Sequence, residues 1–350
     1  MVAGCPSIGN GQPWPVPHQN PARQCAVDLS IVIVSYNTRD LLDACLGSVL
    51  QDMGEEVQEA QDTPPRLEVI VVDNGSSDGS VEMVRSSYPH VRLLEMGRNT
   101  GFARGSNEGI RVSTGRYIML LNSDTVVQRH ALSHIITFLD EHPEWAAAGP
   151  RLLNRDGTVQ LSCFAFPTVW DIICESLWLM QIFPHFAVFN HLGLGGFDHA
   201  TTREVDWVSG ACLVVRRSVV ERVGLLDEGY FMYGEELDWC RRIKQAGLRI
   251  VFFPGAEVVH YGRSSSESMR VRIGRLAMSG RLCYFEKYHG ARAVCAVRVM
   301  TVVGLLLRLL AAPLWCLLRP KSAHSNLRWY WGMFAAVLTT RTTQSWKANS

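Results

Sequence analysis

The chain has 350 residues, 47% of them hydrophobic and 19% charged, with a formal net charge of +1. That length and apolar content exclude a wholly disordered chain, and the charge balance gives no case for nucleic acid as a partner. Ten cysteines lie scattered without a C-x-x-C pair, so zinc and redox motifs are unsupported, and reduced core thiols in a cytosolic compartment fit better.

In chain order, residues 1–28 hold Pro6, Pro13, Pro15, Pro17 and Pro21 and lack an apolar h-region. They read as a disordered arm rather than a secretory signal. An alternating pattern follows. "LSIVIVSYN" (29–37) predicts a buried strand, with a helix around 39–51, and "DMGEEVQEAQDTPP" (52–65) reads as an acidic surface insertion. "RLEVIVVDNGS" predicts a second strand, followed by a helix from about Ser77 to Ser86. "VRLLEM" is a third strand, leading to a glycine-punctuated helix at 102–113. "RYIMLLNSD" is a fourth. Continuous Val/Ile/Leu runs separated by helical lengths predict an α/β fold, a Rossmann-like mostly parallel sheet flanked by helices. Beyond it, "RLLNRDGTVQLS" reads as a hairpin around Asp156-Gly157, and 164–204 as a long irregular loop rich in aromatics and glycine. "VDWVSGACLVVRR" returns to strand, "GEELDWCRRIKQAG" is a helix stopped by Gly247, and "LRIVFFP" is a further strand.

The far end differs. Residues 293–318 are apolar except for Arg298 and Arg308. A spanning helix needs about 20 apolar residues, and an arginine near its centre costs at least ~2.5 kcal/mol. An interfacial or re-entrant helix therefore fits better than a clean span, and "RWYWGMFAAVL" (328–338) suits the headgroup level. A buried helical hairpin is the competing expectation.

In parallel sheets, ligands bind beyond the carboxyl ends of the strands. Asn37, Asp73 and Asp124 all fall at such ends. Asp73 could accept hydrogen bonds from a nucleobase or ribose, although a strand-end turn also explains its neighbours Asn74, Ser76 and Asp78. "GRNTGFARGSNEG" spaces glycines by four, which fits neither a dinucleotide fingerprint nor a P-loop and suits close helix packing or close ligand approach. Asp124 in "NSD" has Arg129 as its nearest downstream cation. An arginine, a turn or a divalent metal must satisfy it. On the 235–245 helix, Glu236 lies at the edge of the apolar face, whereas Glu235 and Asp238 are expected on the polar side, Asp238 paired with Arg242. His260 ends the strand of "AEVVHYG".

The ordered set "SIVIVSYN", "VIVVDNGSSDGS", "RNTGFARGSN", "YIMLLNSD", "VSGACLVVRR", "FMYGEELDWCRRIKQAG" and "VVHYGRSS" resembles the family 2 inverting glycosyltransferases with a GT-A fold, especially bacterial rhamnosyltransferases of cell-envelope polysaccharide assembly. The resemblance covers residues 29–265, leaving 1–28 as the arm and 266–350 as a C-terminal helical, membrane-associated region. It implies a nucleotide-sugar donor held by Ser35, Asn37, Asp73, Arg98, Asn99, Gly101, Asn107 and Asn122. It also implies Mg²⁺ or Mn²⁺ on Asp124 and His260, Glu236 as general base, and a polyprenyl-diphosphate-linked glycan acceptor at the cytoplasmic face of the inner membrane. Asn122 takes the first place of the DXD-like triplet, and Glu stands at 236 where Asp is usual. A sugar nucleotidyltransferase would carry a Gly-rich, Arg-containing loop after the first strand, which "SYNTRDLL" lacks. A catalytically silent, membrane-docked subunit of a glycan assembly complex is the non-enzymatic alternative.

Overall fold

Strand β1 (Leu29–Ser35) shows how the sheet is built. Ile31 and Ile33 belong to one buried cluster and Val32 to another, the two-residue period of a strand whose faces are both covered. The computed structural model describes residues 27–59, 65–262, 267–318 and 320–340. Residues 1–26 of the Pro-rich arm and 60–64 of the acidic stretch lie outside the described residues.

After β1 come α1 (Arg39–Glu59), β2 (Leu67–Asp73), α2 (Ser80–Ser87), β3 (Arg92–Glu95), α3 (Phe102–Val112), β4 (Tyr117–Asn122), β5 (Thr125–Val127) and α4 (Ala131–Glu141). The second half runs β6 (Trp145–Leu153), β7 (Val159–Gln160), β8 (Cys163–Phe164), α5 (Val169–Ser176), α6 (Leu179–Ile182), β9 (Arg203–Val205), β10 (Trp207–Val208), β11 (Cys212–Arg216), α7 (Arg217–Val223), α8 (Glu235–Gln245) and β12 (Arg249–His260). Helices α9 (Glu267–Leu318), broken at Gly290 with φ 78°, and α10 (Pro320–Thr339) close the chain.

The main sheet has the order β3-β2-β1-β4-β11-β6-β12-β5, with β7 beside β6 and β9 beside β12. Strands β3, β2, β1 and β4 are parallel, β11 runs antiparallel between β4 and β6, and β12 is parallel to β6. One face packs Val32, Ile70, Val72, Ile118 and Leu120 with Ala103, Ile110, Trp239 and Ile243 from α3 and α8. The other packs Ile31, Ile33, Val71, Met119 and Leu121 with Leu42, Leu46, Ile135 and Leu139 from α1 and α4. The expected mostly parallel, helix-flanked sheet is present, and so is the hairpin at Asp156-Gly157.

Three expectations are corrected. Helix α1 continues to Glu59, so the first part of the acidic stretch is helical. Its Asp52 is 2% exposed and accepts the backbone N–H groups of His130 and Leu132, stabilising the start of α4. Helix α2 begins at Ser80 rather than Ser77, because Gly79 sits at φ 83°. The stretch 164–204 is not wholly irregular. It contains α5, opened by a capping box between Thr168 and Asp171, and α6.

The two arginines that interrupt the C-terminal apolar run are explained by packing. Arg298 donates to the carbonyls of Val337 and Thr340 at the end of α10, and Arg308 donates to those of Glu175 and Ser176 at the end of α5. Each guanidinium donates to last-turn carbonyls and meets the negative end of a helix dipole. Packing of α9 against α10 matches the helical-hairpin expectation. Yet Val271–Ala311 is long and apolar enough to cross a membrane, its most apolar 18-residue window having mean hydropathy 2.1 and being only 22% buried. It is a candidate membrane-associated segment.

Candidate active site

At the carboxyl end of β2, Asp73 is 4% exposed. Its Oδ2 accepts the backbone N–H groups of Gly75 and Ser76, both at 3.0 Å, while Oδ1 is buried and has no partner among the described residues. An orphaned carboxylate oxygen is costly to bury, so it calls for a donor from outside the chain. Asp73 lines a cleft of ≈ 330 Å³ with Gly75, Ser76, Ser77, Glu95 and Gly97.

The neighbouring predicted residues are largely engaged in holding that rim. Asn37, at φ 51°, accepts from the Ser77 N–H at 2.8 Å, and its own N–H donates to Ser76 Oγ. Ser35 Oγ lies 2.9 Å from Thr38 Oγ1, which reaches Ser123 Oγ at 3.0 Å and so ties the end of β1 to the β4–β5 turn. Asn99 Oδ1 accepts the Gly101 N–H at 3.0 Å. Arg98 is exposed, and its backbone passes so close to Gly75 that a Cβ there would lie 2.7 Å from the Arg98 Cα. Gly101, at φ 91°, would place a Cβ 2.4 Å from the Phe231 carbonyl oxygen, so only glycine fits. The four-residue glycine spacing therefore divides. Gly97 and Gly101 serve turns, whereas Gly105 and Gly109 admit Val34 and Val32 against α3. Asn107 stands apart. It is 1% exposed, its Nδ2 donates to Leu226 O and Glu228 Oε1, and its Oδ1 accepts the Leu226 N–H.

A second group forms where β5 pairs antiparallel with β12, His260 opposite Thr125. His260 Nε2 lies 3.3 Å from Asp124 Oδ1 and 3.4 Å from Asn122 Nδ2. Its Nδ1 is 2.7 Å from Gln160 Oε1, and Gln160 Nε2 donates to Asn154 Oδ1 at 2.9 Å. That orientation makes Gln160 Oε1 the acceptor, so Nδ1 carries the ring proton and Nε2 offers its lone pair. A lone pair and a carboxylate oxygen facing each other at 3.3 Å need a cation or a proton between them. With Gln160 as the supporting acceptor, the chemistry of the two side chains fits a divalent metal as well as a protonated imidazole. Among the described residues no three His, Cys, Asp or Glu side chains converge on one point, so phosphate and water oxygens would complete the coordination.

Glu236 lies in the first turn of α8, partly buried, with Oε2 accepting the Gly234 N–H at 3.1 Å. A Cβ on Gly210 would sit 3.4 Å from its side chain, and the next residue, Ala211, accepts the Asn122 N–H at 3.0 Å. One short connection thus brings Glu236 to the end of β4 that carries Asn122 and Asp124. Burial pushes the Glu236 carboxyl above the usual glutamate range.

The expectation that Glu235 and Asp238 face solvent is wrong. Glu235 is 4% exposed with Oε2 unpaired among the described residues, and burial, then the charge of Glu236, raises its carboxyl well above the usual range. Asp238 is fully buried and holds Arg242 (2.9 Å), Lys287 (2.6 Å) and the Tyr288 hydroxyl (2.8 Å). Three donors on one buried carboxylate make it a structural clamp between α8 and α9. Asp238→Asn should destabilise the protein by about 3 kcal/mol, the low end for breaking a buried ion pair because Lys287 stays partly in water. The folded fraction should keep its turnover, as a melting curve paired with an assay will show.

Helix α9 also approaches the α8 turn directly. A Cβ at Gly280 would fall 1.8 Å from the Tyr233 carbonyl oxygen, beside Gly234. Gly280→Ala should cost ~1–3 kcal/mol through overpacking and lower kcat by shifting the turn that carries Glu236. A normal kcat in the folded variant would show that turn to be tolerant of displacement.

Sequence reasoning missed Gln160 and Glu235. Gln160 is separated from His260 by 100 positions, and its only local signal is its place just after the Asp156-Gly157 turn. Glu235 was assigned to the wrong side because acids in a first helical turn are expected from the dipole alone.

A mostly parallel sheet covered on both faces, with acids gathered at the strand ends and a further acid on a later helix, defines a GT-A-type glycosyltransferase. The chain belongs to the family described as glycosyl transferase family 2, whose model matches residues 30–224. It is 29% identical over 253 residues to N-acetylglucosaminyl-diphospho-decaprenol L-rhamnosyltransferase of Mycobacterium tuberculosis, covering 68% of this chain and 77% of that protein. It is 26% identical over 269 residues to rhamnosyltransferase WbbL of Escherichia coli, covering 73% of this chain and 92% of that one. Among solved structures, GalNAc-T7 with UDP, GalNAc and Mn²⁺ superposes with a TM-score of 0.51 at 15% identity, over 74% of this chain and 48% of that one. The chain thus spans about half of that structure, and the likeness is one of fold.

Proposed function

We propose that this glycosyltransferase moves rhamnose from dTDP-rhamnose to a polyprenyl-diphosphate-linked glycan during cell-envelope polysaccharide synthesis, with inversion, at the cytoplasmic face of the membrane. The observation that carries the reading is the separation of two kinds of acid, Asp124 with His260 at the sheet rim and Glu236 on α8. The sugar and the acceptor are supported by the two rhamnosyltransferase relatives, one of which is named for a decaprenol-linked acceptor. The membrane is supported by the apolar length of α9.

Asp73 holds the nucleoside through its free Oδ1, and the loop of Arg98, Asn99 and Gly101 borders the donor. Asp124 and His260 hold Mg²⁺ or Mn²⁺, with Asn122 alongside. A divalent cation bound there supplies charge stabilisation for the departing nucleoside diphosphate. Glu236 takes the proton from the acceptor hydroxyl as that oxygen attacks the anomeric carbon. Asn107, saturated by Leu226 and Glu228, serves the donor only by fixing α3 against the segment that leads into α8.

The test is transfer by the purified full chain, using a panel of nucleotide sugars with a glycosyl-diphospho-polyprenol and with the matching free sugar. Transfer from dTDP-rhamnose to the lipid-linked acceptor should exceed every other pairing. Equal rates on the free sugar would remove the lipid-linked acceptor, and a preference for another donor would remove rhamnose.

A further inference from the structure

Between Glu175 and Asp198 the chain carries no Asp, Glu, Lys or Arg. Part of this stretch, "LWLMQIFPHFAVF" (177–189), is α6 and the turns around it, and it exposes an unusual amount of apolar surface. Ile182 is 60% exposed, Phe186 62% and Val188 66%, with Leu177, Phe183 and the nearby Trp170 also open. Single exposed hydrophobic residues need no explanation, but a cluster of this size marks an interaction surface.

The location of the cluster says what covers it. Its base is fixed to the apolar part of α9. Arg308 lies 4.7 Å over the Trp178 ring and donates to the carbonyls of Glu175 and Ser176, and Gly304 packs against Ser176. On α9 itself, Val299, Leu306 and Leu310 are exposed at 53%, 45% and 78%, and their spacing of seven and four puts them on one helical stripe. Two uncharged, exposed apolar surfaces thus adjoin through Arg308, whose charge is turned inward to the end of α5 rather than outward. A soluble partner would usually find polar groups around such a patch, whereas a lipid surface asks for apolar side chains without ionised ones.

We propose that residues 177–189 form a second membrane-inserting element, a wedge of Ile182, Phe186 and Val188 that enters the same leaflet as α9. The element rests on the reading of α9 as membrane-associated. It gives the enzyme contact with the bilayer from two sides of the α5–α9 junction, so the catalytic domain is held in a fixed orientation instead of swinging from a single tether.

Photolabelling of the full chain on phosphatidylethanolamine/phosphatidylglycerol vesicles carrying a diazirine acyl-chain lipid tests this, with adducts mapped by mass spectrometry. Adducts on both 177–189 and 299–310 are expected. Adducts on 299–310 alone would overturn the wedge and leave the α9 reading standing, whereas none on either would overturn both. A dimer of the full chain in sedimentation velocity that the I182D/F186D/V188D variant abolishes would make the patch a self-association surface and also overturn the proposal. A full-length I182D/F186D/V188D variant should keep its melting temperature and bind these vesicles about tenfold more weakly. Unchanged vesicle affinity of the folded variant would count against insertion.

Discussion

Replacing Glu236 by Gln is expected to slow sugar transfer by ~10²- to 10⁴-fold, the usual cost of losing a general base, while donor affinity stays nearly constant. Glutamine keeps the acceptor for the Gly234 N–H and the fit against Gly210, so the turn should survive. On the proposed reading the donor is held by Asp73 and by the pair of Asp124 and His260, whose hydrogen bonds and ion pair do not include this side chain. Glu236→Asp should recover part of the rate, limited by the shorter reach. If Glu236→Gln retained full transfer while Glu235→Gln lost it, the base would be the neighbouring acid.

The environment of Glu236 also sets the direction of the pH response. Burial raises its carboxyl, so the base is formed only above the ordinary glutamate value of ~4.3. The acid limb of kcat/KM should therefore lie above that value and disappear in Glu236→Gln. The stability sign is opposite. A carboxyl raised in the folded state contributes stability that is present below its unfolded pKa and lost as pH rises through the folded one. Glu235 and Glu236 are both raised, so activity is gained over the window in which this pair's stabilisation is lost. The melting temperature of Glu236→Gln relative to the parent should rise with pH across that window.

The features that local pattern controls were legible in the sequence. Three of the four parallel strands, β1, β2 and β4, were readable because both faces are covered, which writes them as nearly unbroken Val/Ile/Leu runs ending on Ser35, Asp73 and Asn122. The partial burial of Glu236 was readable because helical periodicity put it at the edge of the apolar stripe. Asp238 was not, because what buries it comes from Lys287 and Tyr288, about fifty positions downstream on a helix whose docking no local pattern encodes. The same limit hid α5. Its capping box is local, but the aromatic and glycine residues around it read as a loop. The mid-run arginines were legible only as an anomaly. Their solution, the carbonyl ends of α5 and α10, is tertiary.

The rim pair carries the other large effect. Asp124→Asn should reduce transfer by at least ~10²-fold, the scale on which a preorganised charge-stabilising group acts, and should weaken Mn²⁺ binding measured without any substrate. Asparagine is nearly the same size, and the main-chain carbonyl of residue 124 keeps its bond from the Tyr261 N–H, so the strand end should hold. His260→Ala should weaken Mn²⁺ binding as well. Gln160→Ala should do so less, by about 10- to 100-fold, because it only fixes the ring proton on Nδ1 and aims Nε2. This order separates a metal site from a simple ion pair. If His260 were merely a protonated partner of Asp124, removing Gln160 would leave Mn²⁺ affinity untouched, and chelation by EDTA would leave the rate of the parent enzyme unchanged. A graded loss of Mn²⁺ affinity through Asp124, His260 and Gln160, with EDTA abolishing transfer, is the outcome expected if a metal rather than a proton joins the facing nitrogen and carboxylate.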